Sequence, residues 1–183
     1  MYIGIDPGKS GGIVGVDDTG RIHLKYVIPL IGREVDTKRM LEIFEFVKRH
    51  ENENVQMAIE DVHSIFGSSA KSNFQFGWIV GFLEAMVISQ RIGYVKVTPK
   101  EWQSKSWYGV SPVLINTGKK TKQGNIKYKV DTKKTSLIAA QRLFPGETFM
   151  ASERSRVAHD GLVDAALIAT WCRMIYGGRK EVL

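Results

Sequence analysis

The first 27 residues constrain the fold most. Tyr2-Ile3-Gly4-Ile5 reads as a strand that runs into Asp6-Pro7-Gly8, which cannot extend it, and Gly12-Ile13-Val14-Gly15-Val16 is a second strand. Asp17-Asp18-Thr19-Gly20 then turns the chain into Arg21-Ile22-His23-Leu24-Lys25-Tyr26-Val27, where side chains alternate with period two. Strands joined by connections this short pair with their sequence neighbours, so the chain opens as an antiparallel meander. A helical period takes over after Asp36 or Thr37, either a good N-cap, with Met40, Leu41, Phe44 and Val47 on one face up to His50. Val55 to Glu60 is a short strand ending on an acid. Ser68 to Ser72 is a polar loop, and Asn73 to about Arg91 a long, mostly apolar helix. Tyr94 to Val97 is the fifth strand, after which Thr98 caps a helix with Pro99 at its first position. Val110 to Val130 shows no clear period and reads as a basic loop. Asp131 caps a helix from Thr132 to Phe144, and a last helix runs from about Ala158 to Tyr176, ended by Gly177-Gly178. Three strands, then strands and helices in alternation and helices last, predict one α/β domain over residues 1–183, with a mixed sheet and the 110–130 loop as an insertion.

Charge is distributed less evenly than structure. The 183 residues carry a net +7, but Lys96 to Lys134 holds ten lysines against only Glu101 and Asp131. That window is therefore +8 and the rest of the chain −1. Each lysine that neutralises a phosphate releases a condensed counterion, so a basic segment set into a balanced protein points to a polyanion; the alternative is a solvated, solubilising loop. Trp102, Trp107, Tyr108 and Tyr128 interleave the lysines, where they either stack on bases or, for the two tryptophans, form local core. No stretch is apolar enough to span a membrane and no signal peptide opens the chain. Cys172 is alone, which excludes an intramolecular disulfide, and a reducing cytoplasm is the expected setting.

Four acids stand apart from the surface carboxylates. Asp6 and Glu60 each end a strand, and Asp160 and Asp164, four residues apart, share one face of the last helix. Two aspartates at this spacing repel each other by a few tenths of a kcal/mol, a cost the helix N-terminus offsets in part and a divalent cation would offset further. Taken singly, Asp6 in Asp-Pro-Gly is an ordinary turn residue and Asp160 an ordinary N-terminal helix acid. Asp164 resists that reading, because Leu162, Val163, Ala165, Ala166, Leu167 and Ile168 surround it. The small residues Gly161, Ala165 and Ala166 suit a helix that approaches another element closely. Gly8-Lys9-Ser10-Gly11-Gly12 loosely resembles the phosphate hairpin of sugar kinases and actin-like ATPases. Those folds duplicate their domain, for which 183 residues leave no room, so no nucleotide cofactor is expected.

In order along the chain, Ile3-Gly4-Ile5-Asp6-Pro7-Gly8, Ala58-Ile59-Glu60-Asp61-Val62 and His159-Asp160-Gly161-Leu162-Val163-Asp164-Ala165-Ala166-Leu167-Ile168-Ala169 resemble the RuvC family of Holliday junction resolvases, within the RNase H-like nucleases. Compact versions carried by bacteriophages are closest in look, which would place the protein in a bacterial host cytoplasm. The resemblance implies an α/β RNase H-like fold, three antiparallel strands followed by two parallel to the first, flanked by helices. It implies a homodimer that nicks paired strands of branched DNA at four-way junctions. Two magnesium ions per active site, replaceable by manganese, would be held by Asp6, Glu60, Asp160 and Asp164. In the bacterial pattern the acid before the last one sits three residues earlier, where this chain has Gly161; Asp160, four before, takes its place, with His159 as a second candidate ligand.

Two such ions, about 3.5–4 Å apart, activate a water for in-line attack and stabilise the leaving 3′ oxygen. Lys133 or Lys134 matches the family's lysine at the scissile phosphate, with Lys100 and Lys105 as further contacts and Lys119, Lys120 and Lys122 on the phosphate backbone. Phe66 or His63 falls on the loop where relatives place an aromatic at the junction centre. The Phe74–Val87 helix corresponds to the dimer helix, where Gly77 and Gly81 permit close approach or, alternatively, packing on the sheet. Two other functions stay open: a related nuclease acting on RNA–DNA hybrids or flaps, and a module that binds branched nucleic acid without cutting it.

Overall fold

The computed structural model describes residues 1–50, 55–62, 67 and 69–177. Its centre is a five-stranded sheet built from β1 (Tyr2–Asp6), β2 (Gly12–Val16), β3 (Ile22–Val27), β6 (Gln56–Glu60) and β7 (Gly93–Val97), in the order β3-β2-β1-β6-β7. β1 and β2 pair antiparallel, as do β2 and β3, whereas β6 runs parallel to β1 and β7 parallel to β6. This is the α/β, RNase H-like arrangement expected: three antiparallel strands, then two parallel ones. A small hairpin, β4 (Leu30–Ile31) with β5 (Glu34–Val35), follows the meander.

The connections decide which helix lies on which face. α1 (Thr37–His50) leads into β6, and α2 (Ala70–Ser89) joins β6 to β7. Both crossovers step the same way across the sheet, so right-handed connections put both helices on one face. There Ile3, Ile5, Ile13, Met57 and Ile59 meet Met40, Ile43, Phe44 and Val47 of α1 and Ile79, Leu83 and Val87 of α2. The chain beyond β7 covers the other face with α3 (Pro99–Ser106), α4 (Thr132–Leu143) and α5 (Asp160–Tyr176). Period two sends Tyr2, Gly4 and Asp6 of β1, and Ala58 and Glu60 of β6, to that second face. Both strand-end acids thus point towards α5.

Several element ends follow their caps. Asp36 accepts from the Arg39 N–H at 2.9 Å and opens α1. Thr98 and Glu101 form a reciprocal capping box at α3, and Asp131 accepts from the Lys134 N–H at α4. α2 starts at Ala70 rather than Asn73, because Ser69 accepts from the Ser72 N–H and recruits part of the expected polar loop into the first turn. The last helix starts at Asp160, two residues later than Ala158, with His159 at the cap position.

The segment 110–130 departs most from expectation. It is not a loop but a two-stranded ribbon, β8 (Leu114–Lys120) with β9 (Ile126–Val130), in a sheet of its own. Ile126-Lys127-Tyr128-Lys129-Val130 does alternate, but neither face is buried, and an alternation without an inside is easily overlooked. Among the described residues, no helix is long and apolar enough to cross a membrane.

Candidate active site

The site forms because α5 rests on β1 and β2 almost backbone to backbone. A Cβ at Gly4 would stand 2.1 Å from the Ala165 carbonyl oxygen and 2.3 Å from the Ala169 nitrogen. One at Gly12 would meet the Gly161 oxygen at 2.7 Å, and one at Gly161 the Ser10 oxygen at 2.2 Å. No side chain larger than hydrogen fits at these three contacts. The glycines thereby bring Asp164, on the turn between Gly161 and Ala165, down beside Asp6. Glu60 joins them from the neighbouring strand, since Ile5 is in register with Ile59 and both acids follow directly.

Burial and mutual repulsion mark the cluster. Desolvation raises the Asp6 carboxyl well above its ordinary range, and the charges of Glu60, Asp164 and Asp160 push it further the same way. Asp164 is pushed up to about 7, mainly by burial; a hydrogen bond with Ser136 opposes the rise, while Glu60 and Asp160 add to it. Burial also raises Glu60, and the Trp102 indole holds it back by donating from Nε1 to Oε1 at 2.8 Å. Asp164 Oδ1 and His159 Nδ1 are buried without a hydrogen-bond partner. Carboxylates crowded out of water with polar atoms left unpaired are a donor set suited to a hard cation, which prefers oxygen ligands.

Asp160 behaves differently. Its side chain is 51% exposed and its Oδ2 lies 2.5 Å from Lys133 Nζ, an ion pair that turns it outward. Among the described residues, no three His, Cys, Asp or Glu side chains stand close enough together to hold an ion as they are. The expected four-acid set is therefore three inward acids plus Asp160 at the rim on its lysine.

Lys134 pairs loosely with Asp131 at 3.8 Å, and Lys100, Lys105, Lys119, Lys120 and Lys122 are all exposed. His63 and Phe66 lie outside the described residues. Trp102 is core, 1% exposed, with Trp107 packed edge-on at 6.3 Å; this removes Trp102 as a base-stacking residue. The contacts of Trp102 with Glu60 and of Ser136 with Asp164 were not read from the sequence. The available signal was position: each lies on a helix following the strand or cap that flanks an acid. α2 buries only Ile79, Leu83 and Val87 and turns Phe74 (76% exposed), Trp78 and Ile88 to solvent. A Cβ at Gly77 or Gly81 would meet nothing, so neither glycine serves packing on the sheet.

No protein-family model matches the chain, and no curated protein matches it in sequence. Solved structures do. RuvC of T. thermophilus in complex with a Holliday junction substrate superposes with a TM-score of 0.57 at 15% identity, over 95% of this chain and 92% of that one. The Thermus thermophilus RuvC structure gives 0.54 at 19%, over 95% and 93%. Matched over 95% of its length, this chain is RuvC-like in fold.

Proposed function

We propose that the protein is a divalent-metal-dependent endonuclease that resolves four-way DNA junctions by paired nicks. The observation that carries this reading is the meeting of Asp6, Glu60 and Asp164 in one half-buried cluster, each with its pKa raised. A purely structural role for three half-buried, mutually repelling acids is costly, and a DNA-binding module without a cation would repel its own ligand there. The likeness to a RuvC solved with a Holliday junction substrate favours branched DNA over hybrids or flaps.

In this reading Asp6, Glu60 and Asp164 hold magnesium or manganese, joined by Asp160 or His159. The bound ions supply Lewis-acid stabilisation and a nucleophile at neutral pH. The chain's own groups do the positioning. Trp102 fixes one oxygen of Glu60 through its indole N–H. Ser136 favours the charged form of Asp164, and Lys133 holds Asp160 at the rim until a phosphate competes for the ammonium. The outward Phe74, Trp78 and Ile88 of α2 form the face of a homodimer, which paired nicking requires.

The test uses a labelled four-way junction and the matching linear duplex, with and without magnesium, cut by wild type and by Asp6→Asn. Paired nicks on the junction by wild type alone, with binding retained in the variant, are expected. Equal cutting of linear duplex would defeat the junction claim, and full activity in Asp6→Asn would defeat the site. Sedimentation of the DNA-bound protein as a strict monomer would count against the dimer.

A further inference from the structure

The β8–β9 ribbon is unlike the rest of the molecule: every side chain from Gly118 to Val130 is exposed. It carries Lys119, Lys120, Lys122, Lys127 and Lys129, and residues 111–130 contain no acid. Its register pairs Leu114 with Val130 and Asn116 with Tyr128, then shifts between Asn116 and Lys120 before Lys120 pairs with Ile126; Ile126, Tyr128 and Val130 alternate regularly along β9 and so share one face with their partners. Ile115, paired with Lys129, lies on the other, with Lys127. One face thus offers Asn116, Tyr128 and apolar groups to solvent with Lys120 near the tip, while the other lysines occupy the tip and the opposite side.

The root of the ribbon is tied to the site. The Asp131 N–H donates to the Val113 carbonyl at 2.7 Å, and the Val113 N–H to Thr135 Oγ1 at 3.0 Å. Asp131 caps α4, whose Lys133 reaches Asp160. The ribbon therefore leaves the rim of the acid cluster. At about 3.3 Å per residue it reaches roughly 20 Å outward, the length of about six base pairs.

We infer that the ribbon lies in the major groove of the DNA arm next to the scissile phosphate, with Asn116 and Tyr128 towards the base edges and the lysines on the phosphates of the groove walls. The inference takes its placement beside a scissile phosphate from the nuclease reading above. Charge selects a polyanion, and shape selects among polyanions. The major groove of B-form DNA, about 12 Å wide, admits a two-stranded ribbon, whereas that of A-form RNA is too narrow for side chains to read. An exposed face mixing Asn, Tyr and aliphatic groups suits base edges and thymine methyls better than bulk water.

The experiment uses Asp6→Asn, which keeps DNA uncut, bound to a four-way junction and to linear duplex, and probed with dimethyl sulfate. This reagent methylates guanine N7 in the major groove and adenine N3 in the minor groove. The parent should protect guanine N7 within about six base pairs of the cut site. That protection should disappear when residues 116–128 are replaced by an Asn-Gly turn, and should weaken in Asn116→Ala/Tyr128→Ala. Lys119→Ala/Lys120→Ala/Lys122→Ala should lower the slope of log affinity against log salt by about two to three. Unchanged melting of each variant shows that the loss is not misfolding. If a variant misfolds, benzophenone placed at Tyr128 in the otherwise intact parent reports instead, and must crosslink to bases.

Identical N7 protection with and without the ribbon, protection confined to adenine N3, or a variant that loses only self-association would overturn the inference and leave the nuclease reading standing. N7 protection on DNA that wild type never cuts would do the reverse. No binding to either DNA overturns both.

Discussion

Asp164 and Lys120 are both charged side chains on regular secondary structure, yet the fold treats them in opposite ways. α5 presses Asp164 into a cluster of acids where much of its hydration is lost, while the ribbon leaves Lys120 exposed. A buried charge is already costly in the free protein, so its removal changes both chemistry and stability. An exposed one keeps its hydration until a partner arrives, so its removal changes affinity and salt dependence alone. The acid face and the lysine ribbon are accordingly expected to separate in mutagenesis.

The largest effect expected is in Asp164→Asn. Cutting should fall by at least about 10³-fold, while the melting temperature of the metal-free protein at pH 8 should rise. Activity and stability moving in opposite directions is what distinguishes a strained site acid from a structural one; a variant that loses both would break the comparison. Gly4→Ala comes next. Its methyl group meets backbone of α5 on both sides, so urea unfolding should report a loss of about 3 kcal/mol. Gly118→Ala on the ribbon meets no atom within 4 Å and has only its φ of +70° to overcome, which costs about 1–2 kcal/mol.

The pH dependence follows from the sign of the shifts. A carboxyl with a raised pKa in the folded state stabilises the fold fully below the unfolded value, and that contribution is lost as pH rises through the folded one. For Asp164 this window runs from the ordinary aspartate value of 3.8 up to about 7. Without divalent ions, stability should therefore decline from pH 4 to pH 8, by at most about 1.4 kcal/mol per unit for a single proton. Magnesium should restore more at pH 8 than at pH 5, which calorimetry at the two pH values would read. A flat profile would show that the acids are not crowded in solution. The smallest effect is expected in Trp102→Phe, which deprives Glu60 of its donor while keeping an aromatic in the core. Cutting should drop about tenfold, and the manganese titration midpoint should move upward. A drop in activity with an unmoved midpoint would mean that Trp102 acts on something other than Glu60.

Much of the site was legible because its signals are local. Period two places Asp6 on the same side as Gly4, and helical spacing joins Asp160 to Asp164. Helical spacing did not foretell that Lys133 would draw Asp160 outward, because that pairing depends on how α4 crosses α5. Nor did it foretell Trp102, forty-two residues from Glu60, as its donor. The ribbon went unseen for a different reason. Hydrophobic alternation reveals a strand by its buried face, and this one has none. Its turn chemistry, Thr121 to Asn125 with Gly124 at φ +85°, was the available sign.

What the sequence alone determined is the order of the five central strands and the five helices, the caps at Thr98 and Asp131, and the ending of two strands on acids. Each of these rests on steric and hydrogen-bonding preferences within a few residues. The tertiary structure alone decided that α5 would lie on glycine, that three acids would share one half-buried space while a fourth stayed with a lysine, and that the basic segment would stand out as a ribbon. These outcomes depend on contacts between residues far apart in the chain. Their energies come from burial and close packing, which no local pattern specifies.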